Sequence, residues 1–161
     1  MAASRVPHIT ITADLIKKSV SLLQGAKDEI SAHEKVLYWA GVRWDEGWNI
    51  TTCIEPELTS TWGSYQTSAS ANAKVIQYLA ANQLELLCQV HSHPGIFIDH
   101  SDGDDEGAFM PYEGFLSIVV PFYGVDGILP LTQCGVHRFQ NGGFYRLSDS
   151  EIEEGFTIEG N

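Results

Sequence analysis

The stretch Leu84–Val90 (LELLCQV) is short, almost wholly apolar and of strand length. It runs directly into His91-Ser92-His93 and is stopped by Pro94-Gly95. A run of this kind fits an interior strand, covered on both faces, and a Pro-Gly pair ends it in a turn. Side chains alternate along a strand, so His91 and His93 share a face at its end. A second interior-looking strand spans Phe115–Phe122 (FLSIVVPF), and strand formers also fill Lys35–Arg43 and Trp48–Ile54 around the turn Asp45-Glu46-Gly47. Two helices are expected. One follows an N-cap at Thr12, with Leu15, Ile16, Leu22, Leu23 and Ala26 on one face and Ile11 positioned to staple onto Ile16. The other covers Ser68–Asn82, with Val75, Ile76, Leu79 and Ala80 as its buried stripe. Val136–Phe139 and Phe144–Leu147 flank Asn141-Gly142-Gly143 as a hairpin. The order of elements predicts an α/β (α+β) fold with one mixed central β-sheet flanked by helices. A single domain over 1–161 is expected, with its core at about 12–147 and an acidic, loosely ordered tail at 148–161.

Composition narrows the function. Nine Lys and Arg against 21 Asp and Glu leave a formal charge of −12, and no basic footprint for nucleic acid is visible. No apolar run is long enough for a membrane helix, and the first residues are not followed by the apolar core of a signal peptide. Cys53, Cys88 and Cys134 are scattered and odd in number, which fits buried thiols in a reducing cytoplasm better than a disulfide framework.

Two imidazoles on one strand face can meet one metal ion, but they need a third ligand. Ser101-Asp102-Gly103-Asp104, just beyond the Pro94-Gly95 turn, supplies candidates. Ser-x-x-Asp is also the outline of a helix capping box, and the two readings are compatible, since a capped helix start would hold Asp104 rigidly. Jointly, His-x-His with Ser-x-x-Asp at this separation arises by chance in roughly one such sequence in a thousand. Asp105 would be turned about 100° from Asp104 on a helix and reads as solvated. His100 is a neighbour with no assigned role. The tryptophans read as core and hairpin packing, and Cys88 as an inert buried thiol.

The pattern His91-Ser92-His93-Pro94 … Ser101-Asp102-Gly103-Asp104 resembles the JAMM signature of the JAB/MPN (MPN+) metalloprotease family. In that family a glutamate opens a strand seven residues before a glycine, and Glu34 stands so before Gly41. The resemblance runs from about Thr12 to Phe122. It implies one Zn2+ per chain held by His91, His93 and Asp104, with Glu34 as general base on a water at the metal and Ser101 polarising that water or stabilising the oxyanion. It also implies cleavage after the C-terminal glycine tail of a ubiquitin-like modifier, in precursors and in conjugates.

Gln89-Val90-His91-Ser92-His93-Pro94-Gly95 is similar to the JAB peptidases of bacterial antiphage operons that encode ubiquitin-like conjugation. Of these, the BIL type resembles the chain more than the CBASS type, in which the peptidase releases a conjugated nucleotide cyclase. A peptidase trimming a sulfur-carrier protein would share the same zinc site. A non-catalytic MPN scaffold usually lacks the ligands present here, and a RadC-like role at DNA is at odds with the charge. Oligomeric state is not legible.

Overall fold

The computed structural model describes residues 6–24, 34–61, 64–100 and 111–160. Eight strands form one mixed sheet in the order β10-β1-β3-β2-β6-β7-β8-β9. In chain order these are β1 (His8–Thr12), β2 (Val36–Arg43), β3 (Gly47–Ile54), β6 (Glu85–Ser92), β7 (Leu116–Val120), β8 (Gly135–Gln140), β9 (Gly143–Arg146) and β10 (Phe156–Glu159). A separate hairpin joins β4 (Leu58–Thr61) to β5 (Ser64–Thr67). The helices are α1 (Ala13–Leu23), α2 (Ala69–Ala81) and α3 (Asp149–Gly155). This is the mixed sheet with flanking helices that the sequence predicts, in one small domain.

Helix α1 starts where expected: the Thr12 hydroxyl accepts from the Leu15 amide at 3.2 Å, and Ile11 and Ile16 are both buried in the same core. It covers one sheet face, where Leu37, Trp39, Cys88, Val90, Ile118 and Val136 are buried. Within this core the Trp39 indole donates to the Ser19 hydroxyl at 2.8 Å, and Ser19 donates to the Leu15 carbonyl at 2.9 Å. A buried N–H without a partner would cost about 1–3 kcal/mol, so this pair fixes the ring rather than merely filling space.

The other face carries Val36, Tyr38, Val75 of α2 and Phe115. Here α2 departs from expectation. Ser68 caps it as anticipated, but Ala71 and Val75 are its buried residues while Ile76 is 47% exposed. Ala26 and Trp62 lie outside the described residues; Trp39 and Trp48 are buried and Trp44 is exposed.

The segment 148–160 is not a loose tail. Ser148 and Glu151 form a full capping box at the start of α3, and β10 then pairs in parallel with β1. Ile152 is buried in the main core, so the acidic surface of this segment hides an apolar anchor.

Candidate functional site

The first half of β2 pairs with β6 in antiparallel register, with Val36 opposite His91 and Leu37 opposite Val90. Beyond the last pair, the Ser92 amide donates to the Lys35 carbonyl at 3.0 Å and the Lys35 amide to the Ser92 hydroxyl at 3.1 Å. Continuing that register sets Glu34 across from His93. Three of the residues expected to carry chemistry are therefore brought to one end of two adjacent central strands. All three are buried: His91 at 0%, His93 at 7% and Glu34 at 8% exposure. Ser101 and Asp104 lie outside the described residues. Among the described residues, no group of three or more His, Cys, Asp or Glu side chains is arranged to hold a metal ion.

The two histidine rings are 5.0 Å apart between centroids. The Nδ1 of His93 sits 2.8 Å from the Phe97 carbonyl oxygen. A carbonyl only accepts, so Nδ1 carries the proton, and in the neutral ring the lone pair falls on Nε2. A ring held through one nitrogen by a main-chain carbonyl, with the other nitrogen as a Lewis base, is the usual arrangement of a metal-ligating histidine. Phe97 also stacks on the His93 ring, at 6.0 Å and 5° between planes. The donor set on the described side thus fits a metal that accepts neutral imidazoles.

A turn after β7 wraps this end of the site. The His93 amide donates to Val120, Phe122 to Gly95 and Tyr123 to His93, at 2.9, 3.1 and 2.9 Å. Phe122 and Tyr123 adopt φ of 54° and 53°, consecutive left-handed conformations without glycine. Each costs about 1–2 kcal/mol, strain of the kind that functional sites retain. The Tyr123 phenol is held above its ordinary pKa by burial, with the Glu34 carboxylate adding to the effect.

A second polar group adjoins His91, and sequence reasoning missed it. The His100 Nε2 lies 2.6 Å from the Ser117 hydroxyl, which also accepts from the Gln89 amide at 3.0 Å. The His100 ring stands 5.7 Å from His91 and 4.3 Å from His137. Burial, aided by His100, pushes the His137 pKa down to about 4, so it is neutral at pH 7. Asp99 pairs with Arg146 of β9. These contacts clamp the segment 94–100 to β7, β8 and β9, and they fix the chain just before Ser101. Three separate elements contribute to the cluster, so no local motif could have announced it. Burial pushes the thiols of Cys53 and Cys88 above the ordinary range and that of Cys134 to about 12, so all three are protonated at pH 7.

Comparison with known proteins gives the geometry a context. No family model matches the chain. The probable metalloprotease y4jG of Sinorhizobium fredii (strain NBRC 101917 / NGR234) is 32% identical over 116 residues, which is 68% of this chain and 71% of that protein. The chain belongs to a metalloprotease family. The solution structure of protein DSY2949 from Desulfitobacterium hafniense superposes with a TM-score of 0.66, covering 95% of this metalloprotease-family chain and 94% of its own. At 14% identity that likeness speaks for the fold alone. Among the described residues of this metalloprotease-family member, no helix is long and apolar enough to cross a membrane.

Proposed function

We propose that the chain is a zinc-dependent peptidase of the JAMM/JAB type that cleaves after the C-terminal glycine tail of a ubiquitin-like modifier. The observation that carries this is the buried pair His91 and His93, with the His93 tautomer set by Phe97 and with Glu34 at the adjoining strand start. His91 and His93, with Asp104, would hold the metal. Zinc bound there would supply Lewis acidity toward a water molecule and the scissile carbonyl. Glu34 takes the proton from the attacking water at its carboxylate and passes it to the departing amine. Its burial beside the histidines excludes bulk water from that transfer. Ser101 donates to the oxygen on which negative charge develops. The partner is a ubiquitin-like protein or its conjugates, and the setting is a bacterial antiphage conjugation system of the BIL type; that setting rests on the sequence resemblance.

The test measures metal content and cleavage together, on a ubiquitin-like protein fused through its C-terminal glycine to a second protein. About one zinc per chain is expected, as for a mononuclear catalytic site. Cleavage should be abolished by chelator and fall by roughly 10²–10⁴-fold in Glu34→Ala, the scale for losing a general base. His91→Ala and Asp104→Ala should lose zinc. Full metal occupancy in both variants, or unchanged turnover in Glu34→Ala, would overturn the assignment.

A further inference from the structure

Adjacent residues on β8 point to opposite faces of the sheet. His137 belongs to the polar cluster beside His91, so Arg138 lies on the other face, away from that site. Arg138 is only 6% exposed. Among the described residues, no carboxylate lies within ion-pair distance of its guanidinium and no side chain hydrogen-bonds to it. Burial pulls its pKa down, and the more distant Glu151 carboxylate opposes that shift. A largely buried guanidinium that has no protein partner among the described residues keeps its donors directed at whatever occupies the space in front of it.

Arg138 lines a cavity of about 380 Å³, together with Trp48, Gln140, Asn141, Asp45 and Glu113. The last two are exposed and Arg138 is buried, so the acids stand nearer the mouth than Arg138 does. Glu113 is already committed, accepting from the Asn141 amide at 2.7 Å.

We propose that this cavity is a second binding site, separate from the histidine centre, which takes a small monocarboxylate with its oxygens on Arg138. Three observations converge. A planar guanidinium fork matches a carboxylate, which can accept two parallel hydrogen bonds from it. The space admits a small molecule but not a folded partner. A single carboxylate charge is matched by the one guanidinium, whereas a dianion such as phosphate brings a second charge for which the cavity lining offers no cation and which faces the two acids. The carboxylate can come from a free small acid or from the C-terminal end of a peptide.

The experiment titrates the full chain with sodium acetate at constant ionic strength, against chloride and phosphate, and follows the Trp48 indole N–H resonance. A parallel series with glycylglycine and its C-terminal amide separates the two sources: a response to the free dipeptide tighter than to acetate identifies a peptide end, and the reverse identifies a free small acid. The expected result is a saturable acetate shift, at least about tenfold weaker in Arg138→Met, with phosphate and chloride ineffective. Acetate should also raise the melting temperature of the wild type and not that of the variant. No saturable shift in the wild type, an undiminished one in Arg138→Met, or phosphate binding as well as acetate would each overturn the proposal. The wild-type titrations decide the matter even if the variant folds poorly.

Discussion

Gly135 opens β8 at the point where the loop 94–100 crosses the sheet. A Cβ added there would stand 1.8 Å from the Ile98 carbonyl oxygen and 3.0 Å from Cε1 of His137. Carbon and oxygen in close contact normally sit about 3.3–3.6 Å apart, so the loop must retreat by roughly 1.5 Å in Gly135→Ala. Strand β8 has partners on both sides and cannot yield as easily. The loop is anchored by the His93–Phe97 and His100–Ser117 hydrogen bonds and by the Asp99–Arg146 pair. Losing one or two of these costs about 1–3 kcal/mol. For a chain of this size that is a fall in melting temperature of roughly 2–12 °C. The effect on turnover should be larger in proportion, since a misplacement of about 1 Å can cost about 10²-fold. Gly95→Ala is the matched control on the same loop, because nothing lies within 4 Å of its added Cβ. It should stay within about 0.5 kcal/mol of wild type. Calorimetry and peptidase turnover on both variants settle the point. Wild-type stability and turnover in Gly135→Ala, or equal losses in Gly95→Ala, would refute the view that this glycine lets the loop seat the site.

Ser19→Ala strips the buried Trp39 indole of its acceptor and should cost about 1–3 kcal/mol by chemical denaturation, whereas Ser19→Thr, which keeps a hydroxyl, should recover part of it. Ser148→Ala removes the cap of α3 at about 0.5–2 kcal/mol, and hydrogen exchange should quicken in β10, which that helix leads into. His137 is held neutral with a pKa of about 4. The unfolded chain protonates it near pH 6.5 and the folded chain does not, so stability falls as pH drops from there toward 4, by up to about 3 kcal/mol. Denaturant midpoints at pH 7 and pH 4.5 should show a smaller pH-dependent loss in His137→Phe than in the wild type.

What the sequence made legible was local. The strand ending at His91-Ser92-His93 declared itself through an apolar run and a Pro-Gly stop, and the hairpin at Asn141-Gly142-Gly143 through its turn residues. Ile76 was misread because periodicity draws a wide stripe, and only the tilt of α2 on the sheet decides which part of it is buried. Strands β1 and β10 were missed because each is four or five residues long and neither has its partner nearby: Ile9 pairs with Phe156. A parallel pair needs no turn between its members, so it leaves no punctuation in the sequence. The acidic character of the last residues then pointed to solvent, although Ile152 and the capping box were there to be read.

The same division holds for the site. Two residues apart on one strand is a pattern that spacing alone reveals, and it places His91 and His93 together. Their support is of another kind. Phe97 fixes a tautomer through its carbonyl, which every residue type has, and Gly135 contributes only by lacking a side chain where Ile98 passes. Ser117 holds His100 and is itself held by the Gln89 side-chain amide from the neighbouring strand. Such residues act by position rather than by chemistry, so their identities carry almost no signal until the sheet brings them into contact. A substitution series confined to the motif would therefore measure the reacting groups and miss the clamp that aims them. Gly135→Ala tests that clamp without touching any residue expected to meet metal or substrate.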